Sequence, residues 1–399
     1  MGSGKTFLGI TFSYLGFSVT DGALRILTVL YFHNLGFSPF QIAALFLLYE
    51  IAGIFTNFIG GWIASLLGLN LTLVGGMLLQ VFSLGLLTVG NEYLTVPYIM
   101  IIQGFSGVAK DLVKMSSKSS LKVINLKGEE TQLFKWVSVL TGSKNALKGV
   151  GFLLGGIMLT YLGFQDSMAL MAATLFLLTL FTFFSVPKNL GKVKKKTTFK
   201  SLFSKSRNLN ILSMARFFLF GSRDIWFVIG LPVYLQMSLG WSHSFVGGLL
   251  AFWVIGYGIA QTLVPRFIKE EQLAGVMGGK SVSFWTGALI LFPVGIALLL
   301  NRGFDDKIIV SAGLLLFGIF FAVNSIIHSY MVLALSKSEH VSTDVGFYYM
   351  ANAWGRLVGT LLSGWVYQAY GFTACLWWSA AFLAVAALIS LKLPSDYDS

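Results

Sequence analysis

Lys144 and Lys148 stand one helical turn apart in the stretch GSKNALKGVGFLLGG, residues 142–156, inside a long apolar run. An ionised lysine at the centre of a bilayer costs about 2.5–3.5 kcal/mol on insertion scales, so two of them imply partners or a task. They are not alone. The apolar segments carry Arg25, Lys110, Lys114, Lys144, Lys148, Arg216, Arg223 and Arg356 against Asp21, Glu50, Asp111 and Asp224. A cavity with surplus positive charge is unfavourable when empty and suits a multiply charged anion. Arginine forks and lysine point charges are the usual binders of phosphate-like oxyanions. The chemistry is therefore recognition of an oxyanion, and it argues against a cationic or purely lipophilic cargo.

Position sorts these residues. Lys118 and Lys122 approach the end of their span, where long stems reach the interface, and are expected to snorkel. Lys110 lies deeper, beside Asp111. Lys148 and Arg356 point away from the positively charged side and lack that escape. The candidate substrate-binding set is Lys144, Lys148, Arg356, Arg25, Arg223 and Lys110. Asp21 and Arg25, one turn apart, are expected to pair with each other. Asp224 can hold its neighbour Arg223. Glu50 has no basic residue three or four positions away on its own helix. It is protonated, paired across helices, or a proton carrier, and with Asp21 it forms the candidate set for proton coupling. Tyr14, Asn57, Asn145, Asn324 and Trp354 could orient an organic portion or simply pack. His33, His243, His328 and His340 share no ligand spacing, and Cys375 is the one cysteine. No metal site, cofactor or catalytic constellation is expected, and the chain does not read as an enzyme.

The elements that must position these side chains are membrane helices. The 399 residues are 56% hydrophobic and 11% charged, with mean hydropathy +0.78. A soluble domain is about half apolar and a quarter charged. A span needs about 20 mostly apolar residues, and the expected spans are 7–32, 38–64, 69–89, 94–121, 132–160, 167–186, 209–236, 243–266, 280–300, 308–332, 344–369 and 372–393. The first reads as an uncleaved span rather than a signal peptide. GSGKT at 2–6 lacks the leading glycine of a phosphate loop. The basic linker 187–208 (PKNLGKVKKKTTFKSLFSKSRN) separates a six-helix half, 1–186, from a second, 209–399. Lysine and arginine gather on the linker side, so linker and both termini are expected in the cytoplasm, in a cell (inner) membrane. The formal charge of +12 thus reads as topology with attraction to anionic lipid, not as nucleic-acid binding.

The halves echo each other. LGFSPFQIAAL at 35–45 matches LGWSHSFVGGL at 239–249, and KGVGFLLGGIMLTYLGF at 148–164 matches RLVGTLLSGWVYQAYGF at 356–372. The second match lays Lys148 over Arg356, Gly151 over Gly359, Gly156 over Gly364 and Gly163-Phe164 over Gly371-Phe372. A parallel repeat predicts a substrate site near the midplane between the halves. Gly149, Gly151, Gly155 and Gly156 read as a smooth face for close helix packing.

GGWIASLLGLN at 60–70 keeps the glycine spacing, Gly61 and Gly68, of the loop signature of major facilitator transporters. Ser65 replaces its aspartate, and Leu66 and Leu69 its basic residues. With twelve spans in two pseudo-symmetric six-helix halves, the expected fold is that all-α membrane architecture. YFHNLGFSPFQIAALFLLYE at 31–50, IIQGFSGVAKDLVKMSSKSS at 101–120 and LFKWVSVLTGSKNALKGVGFLLGG at 133–156 closely resemble the ArsJ-type organoarsenical efflux permeases of that superfamily. The resemblance implies export of 1-arseno-3-phosphoglycerate, the labile ester that glyceraldehyde-3-phosphate dehydrogenase makes from arsenate, and hence arsenate resistance. A functional link to that dehydrogenase follows, with the permease itself a monomer. The alternatives are a transporter of another organophosphate or inorganic anion, including an importer, and, from other classes, a passive channel or a sensor.

Overall fold

The computed structural model describes residues 3–35, 45–125, 130–188, 190–191, 206–241, 243–267, 278–300, 302, 304–336 and 340–394. Most of the basic linker, the start of the second expected span and residues 36–44 of the first repeat motif lie outside them. Within them the chain is helical and no strand occurs. The helices are α1 (Ser3–Asn34), α2 (Leu47–Leu67), α3 (Leu69–Leu86) and α4 (Val96–Ile124). Then come α5 (130–162) and α6 (164–185), joined at Gly163. α7 (Arg207–Phe227) and α8 (Gly230–Met237) together make one span. α9 (His243–Leu263), α10 (Gly279–Leu300) and α11 (Asp306–Leu335) follow, and α12 (341–370) and α13 (372–390) meet at Gly371.

Eight stretches among the described residues are long and apolar enough to cross a membrane, and two of these are double, broken at Gly163 and Gly371. α1 and α4, of 32 and 29 residues, are as long but more polar. Together they account for the twelve expected spans. The polarity of α1 and α4 is the same property that singled them out above: they carry the charges.

Two breaks are made by one residue each. Gly163 and Gly371 both take φ 78° and ψ −176°. That is a left-handed φ that costs a glycine little and a side-chain-bearing residue much. At Gly163 the chain turns back. Trp136 of α5 stacks on Phe7 at the start of α1 (4.6 Å), Phe164 stacks on Tyr31 near its end (4.2 Å), and Thr182 of α6 meets Ser13 back near the start (2.6 Å). At Gly371 the same thing happens: Phe372 stacks on Tyr234 (4.5 Å) and Phe382 lies against Phe218 (5.2 Å).

By its contacts the chain forms two units, Met1–Ser204 with Ser336–Met350, and Lys205–Leu335 with Ala351–Ser399. The first turns of α12 belong to the first unit because two glycines let backbones touch. A Cβ on Gly61 would overlap the Ser342 carbonyl, and one on Gly346 would overlap the Asn57 carbonyl. In the first unit, Gly151 and Gly155 of α5 lie directly on the α1 backbone at Val19 and Ala23. Gly156 faces open space, so the smooth face is narrower than the glycine run suggests. Replacing Gly156 with Ala should therefore add about 0.5–1 kcal/mol of stability through helix propensity, seen as a slightly higher melting temperature by differential scanning fluorimetry. The second unit has an apolar centre around Trp226, Phe317, Phe321 and Leu289.

Candidate functional site

The first unit holds most of the buried charge. Asp21, 5% exposed on α1, receives the Lys148 ammonium at 3.0 Å and the Tyr49 hydroxyl at 2.5 Å. Arg25, a turn further along, bonds Glu50 of α2 at 3.0 Å. The expected Asp21–Arg25 pair is thus replaced by two pairs across helices. The reason is reach: α5 lies against α1 through Gly151 and Gly155, which delivers Lys148 to Asp21. Glu50 is paired across helices, with Arg25. A small recess lined by Asp21, Leu24, Arg25, Phe46, Tyr49 and Gln103 opens beside the two pairs.

On α4, the buried Asp111 carboxylate holds Lys114 and, at 3.6 Å, Lys110. The Lys110 ammonium also sits 3.9 Å from the centre of the Tyr49 ring, an electrostatically favourable place for a cation. Lys118 does not snorkel. It is 6% exposed and donates to the Tyr349 hydroxyl from the first-unit part of α12. The helix end that should have offered water is covered there by a tyrosine distant in sequence. On α5, Lys144 donates to the side-chain oxygen of Asn145 at 3.1 Å. Among the described residues no carboxylate lies within ion-pair distance of Lys144. The cluster sets six cations (Arg25, Lys110, Lys114, Lys118, Lys144, Lys148) against three carboxylates (Asp21, Glu50, Asp111).

In the second unit one carboxylate, Asp224, is fully buried and meets two arginines: Arg223 at 2.5 Å and Arg356 at 3.2 Å. Arg216, also buried, donates to Asn352 (2.9 Å) and to the Ser325 carbonyl (3.3 Å), with its guanidinium 3.8 Å from the Phe220 ring centre. Two arginines thus share one acid, and the third is held by amide, carbonyl and ring partners.

Each unit therefore ties its first helix to its fifth through a carboxylate and a cation, Asp21 to Lys148 and Asp224 to Arg356. Beside each pair a glycine of the fifth helix touches the first: Gly151 at Val19, and Gly359 at Gly221. The Lys148–Arg356 correspondence in sequence is thus matched by a common local geometry, and the stacks of Tyr31 on Phe164 and Tyr234 on Phe372 repeat it. The charges of α4 have no such counterpart on α11. Sequence reasoning missed Tyr49 and Tyr349 as partners of these charges. A buried tyrosine looks like core, and nothing local marks its hydroxyl as a ligand.

Among the remaining polar candidates, Asn57 donates to the Gly53 carbonyl (2.5 Å) and Asn324 accepts from Thr286 (2.9 Å), which are helix-packing roles. Trp354 is 45% exposed.

A sequence profile of the Major Facilitator Superfamily matches residues 6–324. No curated protein matches the sequence. Among solved structures, the human organic anion transporter MFSD10 (TETRAN) is similar at TM-score 0.76 and 14% identity, with 98% of this chain and 100% of that chain covered. A bacterial homologue of the iron transporter ferroportin, in its outward-facing state, is similar at 0.76 and 13%, with 98% of each chain covered. The transporter FucP, in its outward conformation, is similar at 0.74 and 14%, with 96% and 97% covered. At such identities the likeness carries the fold.

Proposed function

The chain belongs to the major facilitator superfamily and is a multi-pass membrane transporter, and on that premise we propose that it is a secondary active exporter of an organic oxyanion, working by alternating access. The observation that supports this is the excess of partly or fully buried cations over carboxylates in both units, nine (Arg25, Lys110, Lys114, Lys118, Lys144, Lys148, Arg216, Arg223, Arg356) against four (Asp21, Glu50, Asp111, Asp224). Buried charge of one sign without full compensation is costly unless a ligand supplies the other sign. The resemblance of residues 31–50, 101–120 and 133–156 to organoarsenical efflux permeases names the cargo as 1-arseno-3-phosphoglycerate. Its arsenate and phosphate ends suit a site with cations to spare. A glyceraldehyde-3-phosphate dehydrogenase using arsenate would supply it.

Lys144, Lys148, Lys110, Arg25, Arg223 and Arg356 are the substrate-binding residues of this reading. Lys148 and Arg356 each lean on a carboxylate in the present structure, so substrate oxygens would compete with Asp21 and Asp224 for them. Such an exchange of one anionic partner for another keeps each cation paired throughout transport. In cells carrying the dehydrogenase, this chain should confer arsenate tolerance, and Lys148→Ala or Arg356→Ala should remove it at equal expression. Unchanged tolerance in both variants would dismiss the site. Export of inorganic phosphate or another organophosphate from loaded vesicles, with no arsenic efflux, would shift the cargo instead.

Glu50, with Asp21, is the proposed proton carrier. The Arg25–Glu50 pair is about a third exposed on each side, so solvent screening limits its worth to about 1 kcal/mol or less. Glu50→Gln should accordingly leave the melting temperature nearly unchanged. It should abolish the acceleration of export by an inward proton gradient, measured in proteoliposomes. Gradient-driven export that persists in this variant would clear Glu50 of the role.

A further inference from the structure

We propose, on the oxyanion-transport reading above, that Tyr49 is a positioning residue: its hydroxyl holds Asp21 while cargo draws Lys148 away, and its ring seats Lys110. Four helices of the first unit meet at this side chain of α2. The hydroxyl donates to Oδ1 of Asp21 on α1 at 2.5 Å, and Lys148 of α5 takes Oδ2 at 3.0 Å. The Lys110 ammonium of α4 lies 3.9 Å from the ring centre, and the Arg25 guanidinium 5.2 Å. The small recess beside the two ion pairs has Asp21, Arg25 and Tyr49 in its lining. Glycines fix the seat. A Cβ on Gly107 of α4 would overlap the Tyr49 carbonyl and crowd its Cα, and one on Gly53, a turn after Tyr49, would overlap the Asp111 carboxylate.

A buried carboxylate that loses its counter-charge carries a large desolvation penalty unless a donor stays with it. Competition between cargo and Asp21 for Lys148 therefore turns on what remains at Asp21. The phenol bonds the other oxygen from a different helix, so it stays in place when Lys148 leaves. Phe46, one turn earlier and also 5.2 Å from the Arg25 guanidinium, shows what a ring alone does here: it seats a cation but cannot bond the acid. The second unit divides its acid in the same way, with Arg223 on Oδ1 of Asp224 and Arg356 on Oδ2. In each unit the cation of the fifth helix has one carboxylate oxygen, and a donor from another helix has the other. The Tyr49 ring also steadies Lys110, which stands 3.6 Å from Asp111, beyond ordinary hydrogen-bond length, and so keeps donors for cargo oxygens.

The test measures transport by the full chain in proteoliposomes, with 3-phosphoglycerate, inorganic phosphate and arsenate as probes. Tyr49→Phe keeps the ring and loses the hydroxyl, whereas Tyr49→Leu loses both. Each variant is first checked for monodisperse elution. Tyr49→Phe should raise the apparent KM for whichever probe the wild type moves by roughly tenfold, the worth of a hydrogen bond to a charged group, with Vmax nearly unchanged. Tyr49→Leu should raise KM further, because Lys110 loses its seat; equal KM in the two variants would strike the ring's part and keep the hydroxyl's. A wild-type KM in Tyr49→Phe, or a fall in Vmax alone, would overturn the positioning role and leave the transport reading standing. So would a lowered yield and melting temperature with a wild-type KM in the folded fraction, the mark of a purely structural tyrosine. If Tyr49→Phe moves nothing, calorimetric affinity for the probe decides: weakening supports the role and wild-type affinity overturns it. A wild-type chain that moves none of the three probes would overturn the oxyanion reading and the positioning role together.

Discussion

Asp224→Ala is expected to cost up to about 3–5 kcal/mol of folding free energy, the upper end of the penalty for taking the buried counter-charge from two partly buried arginines. Asp224 is fully buried, and both Arg223 and Arg356 depend on it. Arg356 keeps 37% of its side chain exposed and can turn partly to water, whereas Arg223, at 15%, has less freedom. The loss should appear as a fall in monodisperse protein on size-exclusion chromatography and a lowered melting temperature. Asp224→Ala with Arg356→Leu should recover part of it, since removing both partners leaves fewer charges stranded. Equal instability of the single and double variants would show that the pair is not what makes Asp224 matter.

Gly355→Ala should be nearly as damaging, for a steric reason. A single carbon on Gly355 would overlap the Phe217 carbonyl and crowd its Cα, all of it backbone that cannot rotate away. Overpacking of this kind costs about 1–3 kcal/mol, and more where two helices must separate to relieve it. A melting temperature for Gly355→Ala as high as that of the wild-type protein would contradict the helix contact itself. The comparison with Gly156→Ala, a change into open space, separates crowding from any general intolerance of these glycine-rich helices.

The spans were legible in the sequence because a bilayer demands some 20 apolar residues and little else has that composition. Even the repeat was legible, since KGVGFLLGG and RLVGTLLSG align letter by letter. Pairing was not. Asp21 and Arg25 share a helix face and look like partners, yet each bonds a residue of another helix, Lys148 or Glu50. Local spacing identifies what a helix can do alone, and close approach through Gly151 changes what is nearest. Lys118 shows the same limit. Snorkelling follows from its place near a helix end, but Tyr349, more than two hundred residues away, occupies that space. The types of residue in the candidate site could be read from sequence, while the choice among their partners needed the fold.

The glycine joints also constrain how the sequence can change length. At Gly163 and at Gly371 a helix ends and the next begins across one residue. There is no slack. With 3.6 residues per turn, one residue inserted within a helix next to either joint would rotate all that follows by about 100°. Thr182 would swing away from Ser13, or Phe382 from Phe218. Insertions, tags and fused reporters therefore belong in the basic linker at 187–208, and a length change beside either glycine should be as disruptive as a change in the core.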